Sequence, residues 1–327
     1  MTRIPGPAGQ LGAALAAGRF AVTAEIGLPR DADPDQVTRK AALLNGWVDA
    51  VNVTDNQAAN ARLSSLAGST LALRAGVEPV MQLTCRDRNR LALQSDLLGA
   101  GALGVPNILL LTGDHVCYGD HPGARPVFDL DSVQLTWVAR AMRDQGVLMS
   151  GQRVPTPPRW LIGCVENPFA PPARFRARRL AKKAAAGAQF VQTQYVFDTA
   201  LFARWMGEVR DLGITERCAV IAGVGPVRSQ RSLEVMRSGR VPGVYIPDEV
   251  ARRLRGAADR VAEEAADLCV EIIQQISEIP GVAGVHVMAP GFEHGVPDIL
   301  QRARVGPRHA ARPGVLAATS PGGPTSC

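Results

Sequence analysis

Several short apolar runs in this chain end on a carboxylate or an amide. Glu25 interrupts "FAVTAEIGL", Thr54, Asp55 and Asn56 close "VDAVNVTDN", and Thr112, Gly113 and Asp114 close "ILLLTGDH". Gln82, Thr84 and Asp87 lie in "EPVMQLTCRDRN", Glu166 and Asn167 near the end of "RWLIGCVENP", and Thr193, Gln194 and Asp198 in "QTQYVFD". Carboxyl groups so placed can move protons, and Gln, Thr and Asn can hold a ligand rich in hydrogen-bonding groups. A glutamate among Val, Ala and Ile is either the buried partner of an arginine or an acid whose pKa is raised by apolar surroundings. Asp114 is either the cap of a following helix or a charge facing a substrate. Gln192 and Gln194 share a face by strand alternation, so one can fill a core layer while the other grips a ligand.

The chemistry that is absent narrows the reading. The three lysines are Lys40, Lys182 and Lys183, and none closes a run, which argues against a Schiff-base enzyme. The five histidines, at 115, 121, 286, 294 and 309, suggest no Ser-His or Cys-His pair and offer too little for a transition-metal site. No metal is expected, although carboxylates alone leave magnesium open. Six cysteines without a C-x-x-C spacing argue against zinc and against a disulfide framework, and free thiols suit a reducing cytoplasm. A charge of +6 from 36 basic and 30 acidic residues, with 5% aromatics, is not the footprint of a nucleic-acid binder. The longest uncharged run, between Asp96 and Asp114, is broken by glycines and Pro106, so no membrane span is expected. "RFRARRLAKK" has helical spacing and reads as a solvated basic face or as a reach toward a phosphate. "GVGPV" reads as a backbone phosphate site or as close packing.

These residues need elements to position them. Strand-like runs at 20–28, 48–56, 78–89, 106–114, 159–168, 189–198, 218–227 and 282–290 alternate with helical segments. Asp33 is the expected cap of the first of these helices. Eight strands each followed by a helix argue for an α/β fold, a (β/α)8 TIM barrel, whose active site lies at the C-terminal strand ends. An open doubly wound sheet would want a Gly-rich turn after its first strand, and "EIGLPRD" is none. A long amphipathic helix over 247–278 reads as an insertion before the last strand. Residues 1–17 read as a lead segment, 18–305 as the catalytic barrel, and 306–327, rich in Pro, Gly, Ala and Ser, as a disordered tail.

Taken in order, "TAEIGLP", "VNVTDN", "QLTCRD", "LLLTGDH", "GAQFVQTQYVFD", "IAGVGPV" and "VYIPDEV" resemble the methylenetetrahydrofolate reductase family over roughly residues 18–305. Each motif is short; their order and spacing together are specific. The resemblance implies a cytoplasmic oxidoreductase interconverting 5,10-methylenetetrahydrofolate and 5-methyltetrahydrofolate. Hydride would pass from NADH or NADPH through a bound flavin, FAD or FMN. It implies Glu25 as general acid, Asp114 beside the flavin and pterin, and Gln194 as the pterin grip. Thr54, Gln82, Thr112, Gly113, Asp114, Asn167 and Lys183 would contact the flavin. The chain departs from many bacterial members where Gln82 replaces a histidine, Thr112 an arginine, and Gly163 and Asn167 an aromatic and a histidine. Those departures open two alternatives, direct hydride transfer without flavin and a folate-binding subunit that needs a redox partner. The resemblance also implies a homo-oligomer.

Overall fold

The computed structural model describes residues 9–241, 243–311 and 314. After a short helix α1 (Gln10–Ala16) the chain alternates β1 (Ala21–Ile26), α2 (Pro34–Leu44), β2 (Ala50–Val53), α3 (Ser65–Arg74), β3 (Pro79–Thr84), α4 (Arg90–Ala102) and β4 (Asn107–Leu111). It continues through α5 (Ser132–Arg140), β5 (Leu161–Glu166), α6 (Arg176–Ala186), β6 (Phe190–Tyr195), α7 (Thr199–Asp211) and β7 (Ala219–Val224). Three helices follow, α8 (Gln230–Arg237), α9 (Asp248–Gly256) and α10 (Val261–Ser277), before β8 (Val282–Val287) and α11 (Val296–Arg302). The eight strands are parallel and close in sequence order, β1 pairing with β8. This is the expected (β/α)8 barrel, and all eight expected strands are present.

The helix starts follow local chemistry. Asp33 accepts a hydrogen bond from Asp35 N at 2.9 Å, and Pro34 opens α2 without needing a donor. Asp131 and Gln134 form a reciprocal capping box on α5. Asp198 accepts from Leu201 N at 2.7 Å, so this strand-end acid serves as the cap of α7.

Inside the barrel, side chains stack in layers. The lower one joins Ala21, Ala50, Val80, Leu109, Leu161, Phe190 and Ile221, and Leu11 and Ala14 of α1 seal it from below. A side chain at Gly163 would overlap the ring of Phe190, so the glycine on β5 makes room for the aromatic on its neighbour. Above lies a polar layer. Gln192 Nε2 donates to Thr23 Oγ1 (3.1 Å) and to Asn52 Oδ1 (3.0 Å), and Thr23 Oγ1 meets His286 Nδ1 at 2.9 Å. Burial pushes His286 down to about 3, so the imidazole is neutral there.

Two expectations change. The long helix at 247–278 is two helices, parted at Ala258, whose φ is +46°. The second, α10, buries Leu268, Cys269, Ile272, Ile273 and Ile276 and is the barrel's own helix between β7 and β8; α8 and α9 are the addition. An apolar stripe that resumes in phase after a break hides that break from periodicity. The expected tail begins as ordered structure: Arg308 Nε donates to the buried Asp49 at 3.1 Å and its Nη2 to Phe20 O at 2.6 Å, while His309 Nε2 meets Val48 O at 3.0 Å. Arginine and histidine side chains that complete buried acceptors tie this segment down despite its composition. The remainder of the tail, apart from Gly314, lies outside the described residues, as do residues 1–8 of the lead segment. Among the described residues no helix is long and apolar enough to cross a membrane.

Candidate active site

Six carboxylates were singled out at strand ends, and the fold occupies four of them. Asp55 accepts from Thr84 N (2.8 Å), from Thr84 Oγ1 (2.9 Å), and from both terminal nitrogens of Arg88 (2.7 and 3.0 Å). Asp87 is gripped by Arg86 Nε and Nη2 at 2.8 and 2.7 Å. Glu166 lies between Arg179 (3.2 Å) and Lys183 (3.5 Å). Asp198 caps α7. Asp55 and Glu166 are buried charges that need such partners, while the more accessible Asp87 and Asp198 are held by an arginine and a helix start, so structure explains these four. Glu25 and Asp114 remain.

Glu25 ends the inward face of β1 and is 8% exposed. No arginine pairs with it among the described residues; Gln57 Nε2 donates to its Oε1 at 2.8 Å. Burial pushes its carboxyl up to about 7, the Gln57 bond pulls it back, and the charge of Glu293 adds to the rise. Glu293 is buried after β8, ion-paired to Lys40 at 3.1 Å, and Lys40 donates to Gly27 O at 2.8 Å. Tyr195 donates to Met288 O at 3.1 Å; burial raises its phenol pKa, and the nearby Glu25 charge raises it further. An acid held half-protonated near neutrality is suited to give a proton to a departing nitrogen.

Asp114 is half-buried on the loop after β4, and its backbone oxygen accepts from Arg86 Nη1 at 3.3 Å. Gly113 has φ +91°, and a Cβ there would press on Thr84 and Arg86, so this glycine lets the loop approach β3. Thr112 is exposed, and its hydroxyl accepts from Ser132 N at 3.1 Å at the start of α5. Thr54 is 1% exposed with a buried hydroxyl that has no partner among the described residues. Gln82 is half-buried on β3. Asn167 donates to Gly243 O (3.0 Å) and accepts from Phe169 N (2.9 Å). Lys183 donates to Val165 O at 2.5 Å besides pairing with Glu166.

Strand alternation fails at one informative place. The β6–β7 register slips between Gln192 and Tyr195, so Tyr195, two places beyond Thr193, falls opposite Gly223. Such a bulge re-aims the side chains around it. Gln192 is the layer residue, and Gln194 is half-exposed with its Oε1 accepting from Tyr195 N at 3.0 Å. The two glycines of "GVGPV" serve packing: side chains there would strike Thr193 O and Met288 O. Just beyond them a cavity of about 240 Å³ opens between the ends of β6, β7 and β8, lined by Tyr195, Arg228, Ser229, Ser232, Met236 and Pro290. Arg228 stacks on the Phe292 ring at 4.3 Å. In the basic run of α6, Arg176, Arg179 and Lys183 turn to acceptors at the end of β5, while Arg178 and Lys182 stay exposed.

Sequence reasoning missed Gln57, Arg86, Tyr195, Lys40 and Glu293. Arg86, 2% exposed, also donates to Asn56 O at 3.2 Å and so joins the loops after β2, β3 and β4. An arginine beside an aspartate inside "TCRDRN" is the one signal that could have marked it. Among the described residues no three His, Cys, Asp or Glu side chains stand close enough to hold a metal ion.

Comparison with known proteins bears on this site. Residues 10–304 match the family described as methylenetetrahydrofolate reductase. A Caenorhabditis elegans protein named probable methylenetetrahydrofolate reductase (NADPH) is 25% identical over 246 residues, covering 73% of this chain and 34% of its own length. Methylenetetrahydrofolate reductase 1 of Schizosaccharomyces pombe is 25% identical (69% and 36% covered), and methylenetetrahydrofolate reductase 2 of Saccharomyces cerevisiae is 24% identical (79% and 42%). The match thus spans about a third to two fifths of these relatives. A Clostridium thermocellum protein, described as uncharacterized and as binding two copies of 5-methyl-5,6,7,8-tetrahydrofolic acid, shares the fold with a TM-score of 0.64. It is 11% identical, with 90% of this chain and 98% of that one covered. With residues 10–304 matched, the chain belongs to the methylenetetrahydrofolate reductase family.

Proposed function

We propose that this chain reduces 5,10-methylenetetrahydrofolate to 5-methyltetrahydrofolate with NADH or NADPH, and can run the reverse reaction. The observation that carries the reading is Glu25: the acid left over at the barrel mouth, buried and titrating near neutrality. In the forward direction the C–N bond of the five-membered ring breaks. Its electron pair goes to the ring nitrogen, which takes the Glu25 proton, and the remaining iminium carbon accepts a hydride. Asp114, an anion at the same rim, steadies that cation. Gln194 would exchange its bond to Tyr195 N for the pterin, to which an amide presents donor and acceptor. The cavity beside Tyr195 suits the rest of the folate, with apolar walls for its ring and Arg228 for its carboxylates.

A flavin, when bound, would relay the hydride from nicotinamide to folate. The orphaned Thr54 hydroxyl and the carboxylate of Asp114 could meet one. Three of the residues expected to contact it do not fit: Lys183 is bound to Glu166 and Val165 O, Asn167 bridges Phe169 and Gly243, and Thr112 holds the start of α5. Direct transfer from the nicotinamide is therefore the route these residues favour. The test is the spectrum of the purified protein together with oxidation of NADH and NADPH in the presence of methylenetetrahydrofolate. A colourless, active protein is expected. Flavin bands, or a requirement for added FAD or FMN, would restore the flavin route. Folate binding without turnover until a redox protein is added would identify a partner-dependent subunit.

A further inference from the structure

The loop between β2 and α3 holds Gln57 against Glu25 in a backbone that resists its own conformation. Asn56, Ala58 and Ala59 have φ of +43°, +54° and +57°, in the left-handed region that residues with a Cβ avoid. Neighbours hold the loop there. Asn56 donates to Asp87 (3.2 Å) and accepts from Arg62 N (3.0 Å), Ala61 N donates to Asp120 (3.1 Å), and Asn60 donates back to Gln57 O (3.3 Å) and Ala58 O (3.1 Å). Gly119, in the loop after β4, lies so close to Ala59 O that a Cβ would overlap it. Strain of this kind persists only where surrounding structure over-determines it, and it concentrates at working sites.

We infer that Gln57 is a positioning residue for the acid. From this strained loop its amide N–H engages one oxygen of Glu25, so the other oxygen carries the proton toward the substrate. This deepens the reductase reading and rests on it. After proton transfer the same N–H meets the carboxylate, a charge-assisted bond stronger than the one to the neutral acid. The bond therefore grows as the proton leaves, and it keeps an acid buried this deeply from being too weak to give up its proton. The other groups facing Glu25 are the Glu293–Lys40 pair from the loop after β8 and α2, and the Tyr195 phenol from β6. Glu293 opposes ionisation and the Tyr195 hydroxyl is turned to Met288 O, which leaves Gln57, among the described residues, the hydrogen-bond donor that favours it.

The experiment follows the Glu25 carboxyl by carbon NMR of glutamate-labelled protein, the signal assigned by its loss in Glu25→Gln. Wild type, Gln57→Leu and Gln57→Asn are titrated in parallel with the pH profile of methylenetetrahydrofolate reduction. The Glu25 midpoint should rise by about one pH unit in Gln57→Leu, and turnover should fall about tenfold or more. Gln57→Asn, one methylene too short, should behave like Gln57→Leu. The descending limb of the activity profile should move to higher pH with the midpoint, which a loss of folding alone would not cause. An unmoved midpoint in both variants overturns the inference, whatever their activity. Wild-type protein inactive on methylenetetrahydrofolate, with the midpoint nonetheless shifted in the variants, would overturn the reductase reading and leave the Gln57–Glu25 coupling standing.

Discussion

At the scale of single residues, the site is defined by which carboxylates the protein leaves over. Asp55, Asp87 and Glu166 are each paired with arginine and Asp198 caps a helix, whereas Glu25 has only an amide among the described residues. Its burial has a measurable cost in stability. The folded pKa of about 7 lies above the ordinary value of 4.5, so the native state binds the extra proton between those values. Stability from this group is intact at low pH and is lost as pH rises from 4.5 through about 7. Glu25→Gln should therefore match wild type in urea melts near pH 4 and exceed it near pH 8 by up to about 3 kcal/mol, while losing folate turnover. Equal stability at both pH values would mean that the Glu25 carboxyl titrates normally. Asp114 was marked by sequence as well as Glu25 was. Gln57 was not, because nothing in "TDNQAAN" says which polar residue of a turn folds back over a neighbouring strand.

Elements decide how accurately those residues are held. The loop carrying Gln57 is braced by another loop about sixty positions later in the chain, at the Gly119–Ala59 contact. Gly119 has an ordinary extended backbone (φ −101°), so alanine there is not strained by itself; its methyl would meet a carbonyl. Gly119→Ala should push the loop off Glu25 and lower turnover about tenfold to a hundredfold with a small change in Tm. Unchanged kinetics would show that the loop yields without moving Gln57. The β6 bulge belongs to this scale too. It interrupts regular alternation, placing Tyr195 opposite Gly223, with Gln194 Oε1 accepting from the backbone N–H of Tyr195. One extra residue in a strand leaves no mark in composition.

For the whole molecule, the barrel is closed at its lower end by two segments that sequence treated as peripheral. Leu11 and Ala14 of α1 plug the interior, and Arg308 reaches Asp49, itself 2% exposed and bound to Val22 N at 2.8 Å. Removing Arg308 leaves a buried carboxylate with one fewer partner. Arg308→Ala, or a chain ending at Val305, should lose about 3 kcal/mol in denaturant unfolding without a change in the reaction's pH profile. No loss would mean that residues 306–311 merely lie on the surface.

What the sequence determined by itself was the architecture and the shortlist. Eight alternating runs dictate eight strands and their helices, and a parallel barrel of that kind must display its strand ends together, so position put Glu25 and Asp114 on the shortlist of carboxylates and the family resemblance singled them out. Local caps such as Asp33 were legible because both partners lie within one turn. Tertiary structure decided which candidates stay available. Pairings such as Asp55 with Arg88, Glu166 with Lys183, or Glu25 with Gln57 join residues from 17 to 33 positions apart. Whether a carboxylate is neutralised, or kept protonated by burial beside a single amide, depends on distances that only the closed barrel sets.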